Sequence, residues 1–125
     1  MYRPTNAEMA LLQLLWERGP STCRDLHEVI GPERKVGYTT VLKTMQIMTE
    51  KGAVTRDSSR RPHVFTAAVL QSDIEGGLVS RMVKSVFGGS LTSMVARALD
   101  DRTTSPEELA ELRRLIENFE KGEGQ

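Results

Sequence analysis

The sequence has 125 residues, of which 38% are hydrophobic, so it can build one small domain with a modest core. Its 17 basic and 17 acidic residues give zero formal net charge. The chain as a whole therefore lacks the basic excess that would attract it to nucleic acid or to a membrane surface. The longest apolar stretch, residues 9–16, is too short to span a bilayer, and the first nine residues lack the apolar region of a secretory signal. We therefore expect a soluble, cytoplasmic protein with no membrane insertion.

The charge is distributed unevenly along the chain. Residues 1–70 carry 10 Lys and Arg against 7 Asp and Glu, whereas residues 71–125 carry 7 against 10. Residues 34–61 hold seven basic and two acidic side chains, a local net charge of +5. Such a segment is either an electrostatic footprint for a polyanion or merely a solvated surface, and the predicted elements must decide between the two.

Two helices are predicted in the first third of the chain. Either residue of the pair Thr5–Asn6 can cap a first helix over about 6–18. The buried stripe of that helix is predicted to be Met9, Leu12, Leu15 and Trp16. Thr22 is a candidate N-cap for a short second helix, because Asp25 stands at its N3 position. The pair Gly31–Pro32 predicts the end of this second helix.

A third helix and a hairpin follow. Residues 39–51 carry apolar side chains at helical spacing, and a glycine closes the pattern. The period then changes to two over residues 53–56 and 63–66, which predicts two short strands. The segment 57–62 between them is rich in turn formers and arginine, so the hairpin has a basic tip.

Three more helices are predicted after the hairpin. Ser72–Asp73 opens one that ends at Gly88–Gly89, and Ser90 starts a short second one. Ser105–Pro106 is a strong start signal for the last helix, because a capping serine precedes proline at the first helical position and two acids follow. An a/d-like apolar seam then runs through Leu109, Leu112, Ile116 and Phe119.

Three short helices followed by a two-stranded hairpin is the element order of a winged helix, whose third helix enters the major groove of DNA. The basic segment coincides with that helix and with the hairpin, or wing. We therefore predict a mainly α fold with a small β-hairpin: a winged-helix DNA-binding domain over 1–70, then dimerisation helices over 71–125. The predicted DNA-binding residues are Lys35, Tyr38, Thr39, Thr40, Lys43, Thr44, Arg56, Arg60, Arg61 and His63.

These residues suit different parts of a duplex. The threonines and lysine of the third helix are short or cationic groups that fit phosphates and base edges. The arginines and histidine of the hairpin fit the backbone or the minor groove. Tyr38, at the helix entrance, either contacts a phosphate or thymine methyl or packs under the preceding turn.

The C-terminal helices predict a homodimer, because about 50 residues cannot bury so many apolar faces alone. The alternative is that these helices pack back onto the winged helix as one monomeric core. The predicted dimer interface consists of Ile74, Leu78, Met82, Val86, Leu91, Met94, Leu109, Leu112, Ile116 and Phe119.

Four stretches resemble the penicillinase-repressor family of the BlaI/MecI type, which includes the CopY copper-responsive repressors. They are LLWERGPST (14–22), YTTVLKTMQIMTEKGAV (38–54), FGGSL (87–91) and SPEELAELRRLI (105–116). The resemblance covers nearly the whole chain. It implies a homodimeric transcriptional repressor on palindromic operator DNA, released when a membrane-bound sensor metalloprotease triggers cleavage in the dimerisation region.

The sequence departs from the family pattern at three places. Counted from FGGSL, the Asn–Phe pair at which the best-known members are cleaved falls on Arg97–Ala98, so the pair itself is absent and these two residues are only the candidate cleavage region. A late arginine of the family's third helix corresponds to Ile47. The paired cysteines of CopY repressors are absent, because Cys23 is the only cysteine, and this excludes copper sensing of that kind.

Other function classes have weaker support in the sequence. Cys23 and His27 lie four residues apart on one predicted helix, which leaves open a thiol-based or small-ligand release of the same DNA-binding fold. A winged helix can also serve as a protein-interaction module. No glycine-rich phosphate loop or metal-ligand spacing stands out, so we predict neither an enzyme nor a cofactor or metal site.

Overall fold

The computed structural model describes residues 1–101 and 103–122, so the last three positions of the predicted C-terminal region lie outside it. Within those residues the chain forms six helices and one two-stranded antiparallel sheet. The elements are α1 (Asn6–Arg18), α2 (Cys23–Arg34), α3 (Tyr38–Glu50), β1 (Val54–Asp57), β2 (Val64–Ala67), α4 (Gln71–Ser85), α5 (Leu91–Asp100) and α6 (Pro106–Glu120). The predicted fold class, a mainly helical winged helix with a small hairpin, is confirmed.

The chain forms two compact units, Met1–Leu78 and Val79–Gln125. The first unit contains α1, α2, α3 and the hairpin, and it also takes in the start of α4. Among the residues that the structure describes, no helix is both long and apolar enough to cross a membrane.

Capping boxes start the first two helices. The Thr5 hydroxyl accepts a hydrogen bond from the Glu8 amide at 3.1 Å, and the Glu8 carboxylate accepts one from the Thr5 amide at 3.2 Å. Thr22 and Asp25 exchange the same pair of bonds, both at 3.1 Å. Each box satisfies two amides that a helix start leaves unpaired, and the predicted role of Thr22 is confirmed.

The predicted end of the second helix at Gly31–Pro32 is wrong, because α2 continues to Arg34 with Pro32 inside its last turn. A proline there removes only one intrahelical hydrogen bond, and the buried Ile30 and Gly31 hold the turn against the core. The helix ends where Lys35 adopts a left-handed conformation, φ 55° and ψ 47°, and its amide bonds the Gly31 carbonyl.

One hydrophobic core fills the first unit. It is formed by Leu11, Leu12, Leu15, Cys23, Leu26, Ile30, Val41, Met45, Met48, Ala53, Val54 and Phe65. The predicted stripe of α1 is correct for Leu12 and Leu15. Met9 and Trp16 are only half-buried, and the Trp16 indole Nε1 donates to the Val69 carbonyl at 3.1 Å.

The two strands begin and end one residue later than predicted. Ala53 lies outside β1, because its amide bonds the Met48 carbonyl at 2.9 Å and so completes the turn that leaves α3. Phe65 of β2 exchanges two backbone hydrogen bonds with Ser21, at 2.8 and 3.0 Å. The base of the hairpin is therefore joined to the loop between α1 and α2.

The helices of the second unit start where the sequence predicts. Ser90 accepts from the Ser93 amide at 3.0 Å, and Ser105 accepts from the Glu108 amide at 3.1 Å, ahead of Pro106 at the helix start. Helix α4 ends at Ser85, before the predicted glycine pair, and the following turn closes with a bond of 2.8 Å from the Gly89 amide to the Val83 carbonyl. Among the described residues from Val79 onward, none is fully buried.

Candidate nucleic-acid interface

Helix α3 has one buried and one exposed side. Val41, Met45 and Met48 are at most 2% exposed and fix the helix in the core. The spacing of 3.6 residues per turn places positions 39, 43 and 46 on the opposite side. Thr39, Lys43 and Gln46 are indeed exposed, so we call them the outer stripe of α3. The buried residues on the opposite side of the same helical turns therefore hold the outer stripe outward from the core.

A groove lies between α3 and the hairpin, within the first unit. Helix α3 contributes Tyr38, Leu42 and Gln46 to its lining, and the hairpin contributes Arg56, Pro62, His63 and Phe65. The buried Cys23 closes the groove at its floor. We call this the α3–wing groove. It brings together three predicted DNA-binding residues that are distant in sequence, Tyr38, Arg56 and His63.

Tyr38 packs against the turn that precedes α3 and stays partly exposed. Its ring meets His27 edge-on, with centroids 6.1 Å apart, and 45% of the residue remains exposed. His27 Nε2 lies 3.1 Å from the Val36 carbonyl, so this imidazole joins α2 to the turn before α3. The contact between His27 and Val36 depends on the left-handed turn at Lys35, and no local sequence pattern predicts that turn.

Thr40 and Thr44 lie on a different flank of α3 from the groove. Both line a shallow pocket with residues of α1 and α2, including Leu11 and Arg34. The Thr44 hydroxyl donates to the Thr40 carbonyl at 2.8 Å and is half-buried. Lys35 is exposed in the α2–α3 turn. The predicted DNA-binding residues therefore do not form one continuous cluster.

The hairpin tip is held by local hydrogen bonds. Asp57 Oδ1 accepts from the Ser59 hydroxyl at 2.5 Å and from the Ser59 amide at 3.0 Å. These bonds, with Arg60 and His63 nearby, hold the pKa of Asp57 below its ordinary value, so it stays ionised. Arg61 folds back and donates to the Ser58 and Arg60 carbonyls, whereas the exposed Arg60 has no hydrogen-bond partner for its side chain among the described residues.

Lys51 belongs to the basic segment but not to the outer stripe. Its Nζ lies 2.9 Å from Oε2 of Glu8, which is 3% exposed, and the Tyr2 hydroxyl donates to Oε1 at 2.9 Å. Burial alone raises the pKa of Glu8, but the bonds from Lys51, Tyr2 and Thr5 outweigh it and hold the pKa below its ordinary value. The sequence-based charge count therefore overstates the positive charge available to a polyanion, since Glu8 lies outside the counted segment.

Sequence reasoning missed Gln46. It is exposed, lies on the outer stripe and also lines the α3–wing groove. The i, i+4, i+7 spacing of Thr39, Lys43 and Gln46 would have identified it, had the exposed face been followed beyond the first turns of the helix.

The thiol hypothesis finds little support in the geometry. Cys23 is 4% exposed, and burial raises the pKa of its thiol, so the reactive thiolate is disfavoured. The imidazole of His27 is occupied by Val36. Among the described residues no group of three or more His, Cys, Asp or Glu side chains is placed to hold a metal.

The predicted dimer residues differ in exposure within the single chain. Ile74 is 7% exposed and packs in the first unit. Leu78, Met94, Leu109 and Leu112 are half-buried. Met82, Val86, Leu91, Ile116 and Phe119 are between 47% and 68% exposed. Arg97 and Ala98, the predicted cleavage region, are exposed on α5.

The sequence as a whole is similar to known proteins, in agreement with the winged-helix fold. A family model described as penicillinase repressor matches residues 4–118. The chain belongs to the penicillinase repressor family. The resemblance expected from the four sequence stretches is thereby confirmed, and so is the prediction that the protein is a DNA-binding transcriptional repressor and not an enzyme.

This repressor is similar to several curated relatives along most of its length. It is 27% identical over 119 residues to the transcriptional regulator BlaI of Mycobacterium tuberculosis, covering 94% of this chain and 85% of the relative. It is 21% identical over 113 residues to the penicillinase repressor of Bacillus licheniformis, covering 90% and 88%. The methicillin resistance regulatory protein MecI of Mammaliicoccus sciuri is 21% identical over 115 residues, with 92% and 94% covered.

A solved structure supports the fold independently. A MarR family protein from Bacillus stearothermophilus superposes with a TM-score of 0.53, covering 99% of this repressor and 78% of that chain. The two sequences are 19% identical, so the likeness shows the fold alone.

Proposed function

We propose that this repressor binds palindromic operators as a homodimer, with α3 in the major groove and the β1–β2 hairpin as a wing on the flanking backbone. Residues 1–70 would form the DNA-binding domain and residues 71–125 the dimerisation region. The observation that carries the proposal is the outer stripe of α3, which the core holds beside a groove edged by Arg56 and His63. A rigid helix with exposed polar groups is what direct readout of base edges requires.

The residues divide by the part of the duplex that they would contact. Lys43 is a cationic group on the outer stripe and fits a guanine edge or a phosphate. Arg56 and Arg60 on the hairpin fit phosphates, since their positive charge releases counterions from the DNA. Arg61 would contribute less, because it already donates to two carbonyls of the tip. Thr40 and Thr44 would contact DNA only if its sugar–phosphate backbone reaches their flank of the helix.

The exposed apolar side chains of the second unit support the homodimer. Val79, Met82, Val86, Leu91, Val95, Leu99, Leu115, Ile116 and Phe119 are all at least 38% exposed. Exposed apolar side chains in this number are costly in water and are typical of an interface. A second copy of the same chain would cover it and would place two winged helices on one DNA face, about one helical turn or a multiple apart.

Relief of repression would then follow from loss of the dimer, because one half-site alone supplies only part of the affinity. We propose the Arg97–Ala98 region as the site of proteolytic relief, with a membrane sensor metalloprotease as the partner that triggers it. Both residues are exposed, but they lie inside α5. A protease requires an extended strand, so cleavage there needs local unfolding of this helix. The repressor would act in the cytoplasm, where its operator lies.

The DNA-binding proposal is tested by the salt dependence of affinity. Duplexes selected by the full-length protein from a random library supply the operator, and fluorescence anisotropy measures the dissociation constant between about 50 and 200 mM salt. We expect a steep loss of affinity with salt. Lys43→Ala and Arg60→Ala should each flatten the log–log slope by roughly one unit. Lys84→Ala, an exposed charge change on α4, is the matched control and should leave the slope unchanged.

Two results would contradict the proposal. Binding that does not depend on salt would remove the electrostatic role of α3 and the hairpin. Selected duplexes without two-fold symmetry would remove the dimer on a palindrome, whatever the affinity.

A further inference from the structure

Gln46 is a polar group on the outer stripe whose position is not explained by packing. It is exposed, and among the described residues its amide has no hydrogen-bond partner. Its neighbours in sequence are different: Met45 and Met48 are fully buried in the core. Because the Gln46 amide makes no hydrogen bond among the described residues, it is available to a ligand.

The helix geometry turns Gln46 towards the same side as Lys43. The two residues are three positions apart and therefore about 60° apart around the helix axis. Gln46 also reaches the α3–wing groove, where Leu42 lies one turn before it and Arg56 stands across the groove on β1. The side chain thus occupies the border between the outer stripe and the groove.

The residues that follow Gln46 on α3 are poorly suited to bind a base edge. Ile47 is 39% exposed but has no hydrogen-bonding group in its side chain. Glu50 is the next exposed residue in line with the stripe, and its carboxylate repels phosphates. Gln46 is therefore the last hydrogen-bonding residue of the outer stripe before an acidic side chain that disfavours close approach of the backbone.

We propose that Gln46 is a specificity-determining residue that reads an adenine in the major groove. This inference rests on the proposed function. A glutamine amide can donate to adenine N7 and accept from adenine N6, a bidentate pattern that no other base pair matches. The half-buried Leu42 lies beside it and is suited to the methyl group of the paired thymine. Each half-site therefore contains one A·T pair whose selection depends on Gln46.

The test compares sequence selection by the full-length wild type, Gln46→Ala and Gln46→Glu from the same random duplex library. For Gln46→Ala we expect one position in each half-site to lose its preference for A·T, by roughly 5- to 150-fold, with the salt slope unchanged. For Gln46→Glu the preference at that position should move to C·G, because a carboxylate accepts from cytosine N4. Gln13→Ala, an exposed glutamine on α1, is the matched control and should select the wild-type site.

The outcomes separate the failure of this inference from that of the proposed function. If the wild type selects an operator and Gln46→Ala selects the same one with equal preference, Gln46 does not read a base. If Gln46→Ala weakens binding to all sequences equally and leaves every base preference unchanged, Gln46 contacts the DNA backbone and the inference is overturned. If the wild type itself selects no sequence, the proposed function fails first. The switch expected for Gln46→Glu cannot arise from misfolding, since an unfolded variant selects nothing.

Discussion

Glu8 shows how one side chain can link distant parts of the winged helix. Its carboxylate caps α1 through Thr5 and also holds Lys51, 43 residues away at the end of α3. The end of α3 is thereby tied to the start of the chain. The cost of burying a carboxylate is offset because hydrogen bonds and a cation satisfy both of its oxygens.

The pKa of Glu8 leads to a prediction about acid stability. Its folded-state pKa lies below the ordinary value of 4.5, so the carboxylate stabilises the fold above pH 4.5 and loses this contribution as pH falls through the folded-state pKa. We expect Glu8→Gln to lower the free energy of unfolding at pH 7 by about 1 to 3 kcal/mol, through loss of the charged bond to Lys51. Urea denaturation from pH 3 to pH 7 measures the free energy of unfolding of the wild type and of Glu8→Gln as a function of pH.

The two curves should converge in acid, because protonation removes from the wild type the same charge that the substitution removes. Glu17→Gln, an exposed glutamate of the same helix, is the matched control and should stay within about 0.5 kcal/mol of the wild type. A constant gap between wild type and Glu8→Gln at all pH values would contradict the assignment.

His27 and Gly31 give a second prediction at this scale. A Cβ atom at Gly31 would lie 2.7 Å from His27 Nε2, so alanine must displace the imidazole from the Val36 carbonyl. Glycine to alanine in a helix is otherwise favourable by up to about 1 kcal/mol. We expect the lost hydrogen bond to cancel that gain in the wild type, and Gly31→Ala to be stabilising in a His27→Ala background.

A double-mutant cycle measured by thermal or urea unfolding tests this coupling. The effect of Gly31→Ala should differ by about 1 kcal/mol between the two backgrounds. Equal effects in both would show that the imidazole does not restrict position 31.

At the scale of elements, the start of α2 depends on its capping box. Removing the Thr22 hydroxyl leaves the Asp25 amide without a partner, so Thr22→Ala should lower the free energy of unfolding by about 1 kcal/mol. Thr22→Ser keeps the hydroxyl and should retain most of the stability. Chemical denaturation of the two variants checks this. A loss in Thr22→Ser as large as that in Thr22→Ala would point to the methyl group instead.

The elements that the sequence predicted well are those with local signals. Ser105 and Pro106 define the start of α6, and Thr22 with Asp25 defines the start of α2, because caps act over three residues. The end of α2 was misplaced because tertiary packing of Ile30 outweighs the local effect of Pro32. The strand boundaries were offset because the Ala53 amide is used by α3, a contact that alternation cannot reveal.

The candidate site shows the same difference between features with local sequence signals and features set by tertiary packing. The outer stripe of α3, with Gln46 in its third turn, follows from helical spacing alone. Contacts between residues distant in sequence could not be read at all. The pairing of Lys51 with Glu8 and the groove that joins Tyr38 to His63 depend on how three helices and a hairpin pack.

At the scale of the whole molecule, the second unit leads to a prediction about oligomeric state. Ile116 and Phe119 are 59% and 53% exposed on α6, which makes them better sites for disruption than Leu112, which lines a groove between α5 and α6. We expect the wild type to be a dimer at micromolar concentration, and Ile116→Glu with Phe119→Glu to be monomeric. A carboxylate buried without a partner at an interface costs several kcal/mol.

Sedimentation velocity distinguishes the two states. Arg113→Glu, which adds a carboxylate at an exposed position of the same helix, is the matched control and should remain dimeric. A wild type that is monomeric at micromolar concentration would contradict the proposed dimer.

Among the residues described, none from Val79 onward is fully buried, so in the proposed dimer the stability of the second unit would depend on protein concentration. In a dimer held by these helices, folding of the second unit and association are one equilibrium, so its melting temperature rises with protein concentration. Dilution lowers the dimer population with the square of the monomer concentration and frays α5 at the same time. In the proposed dimer, dilution of the repressor would therefore loosen the helix that contains Arg97 and Ala98 at the same time as it lowers operator occupancy.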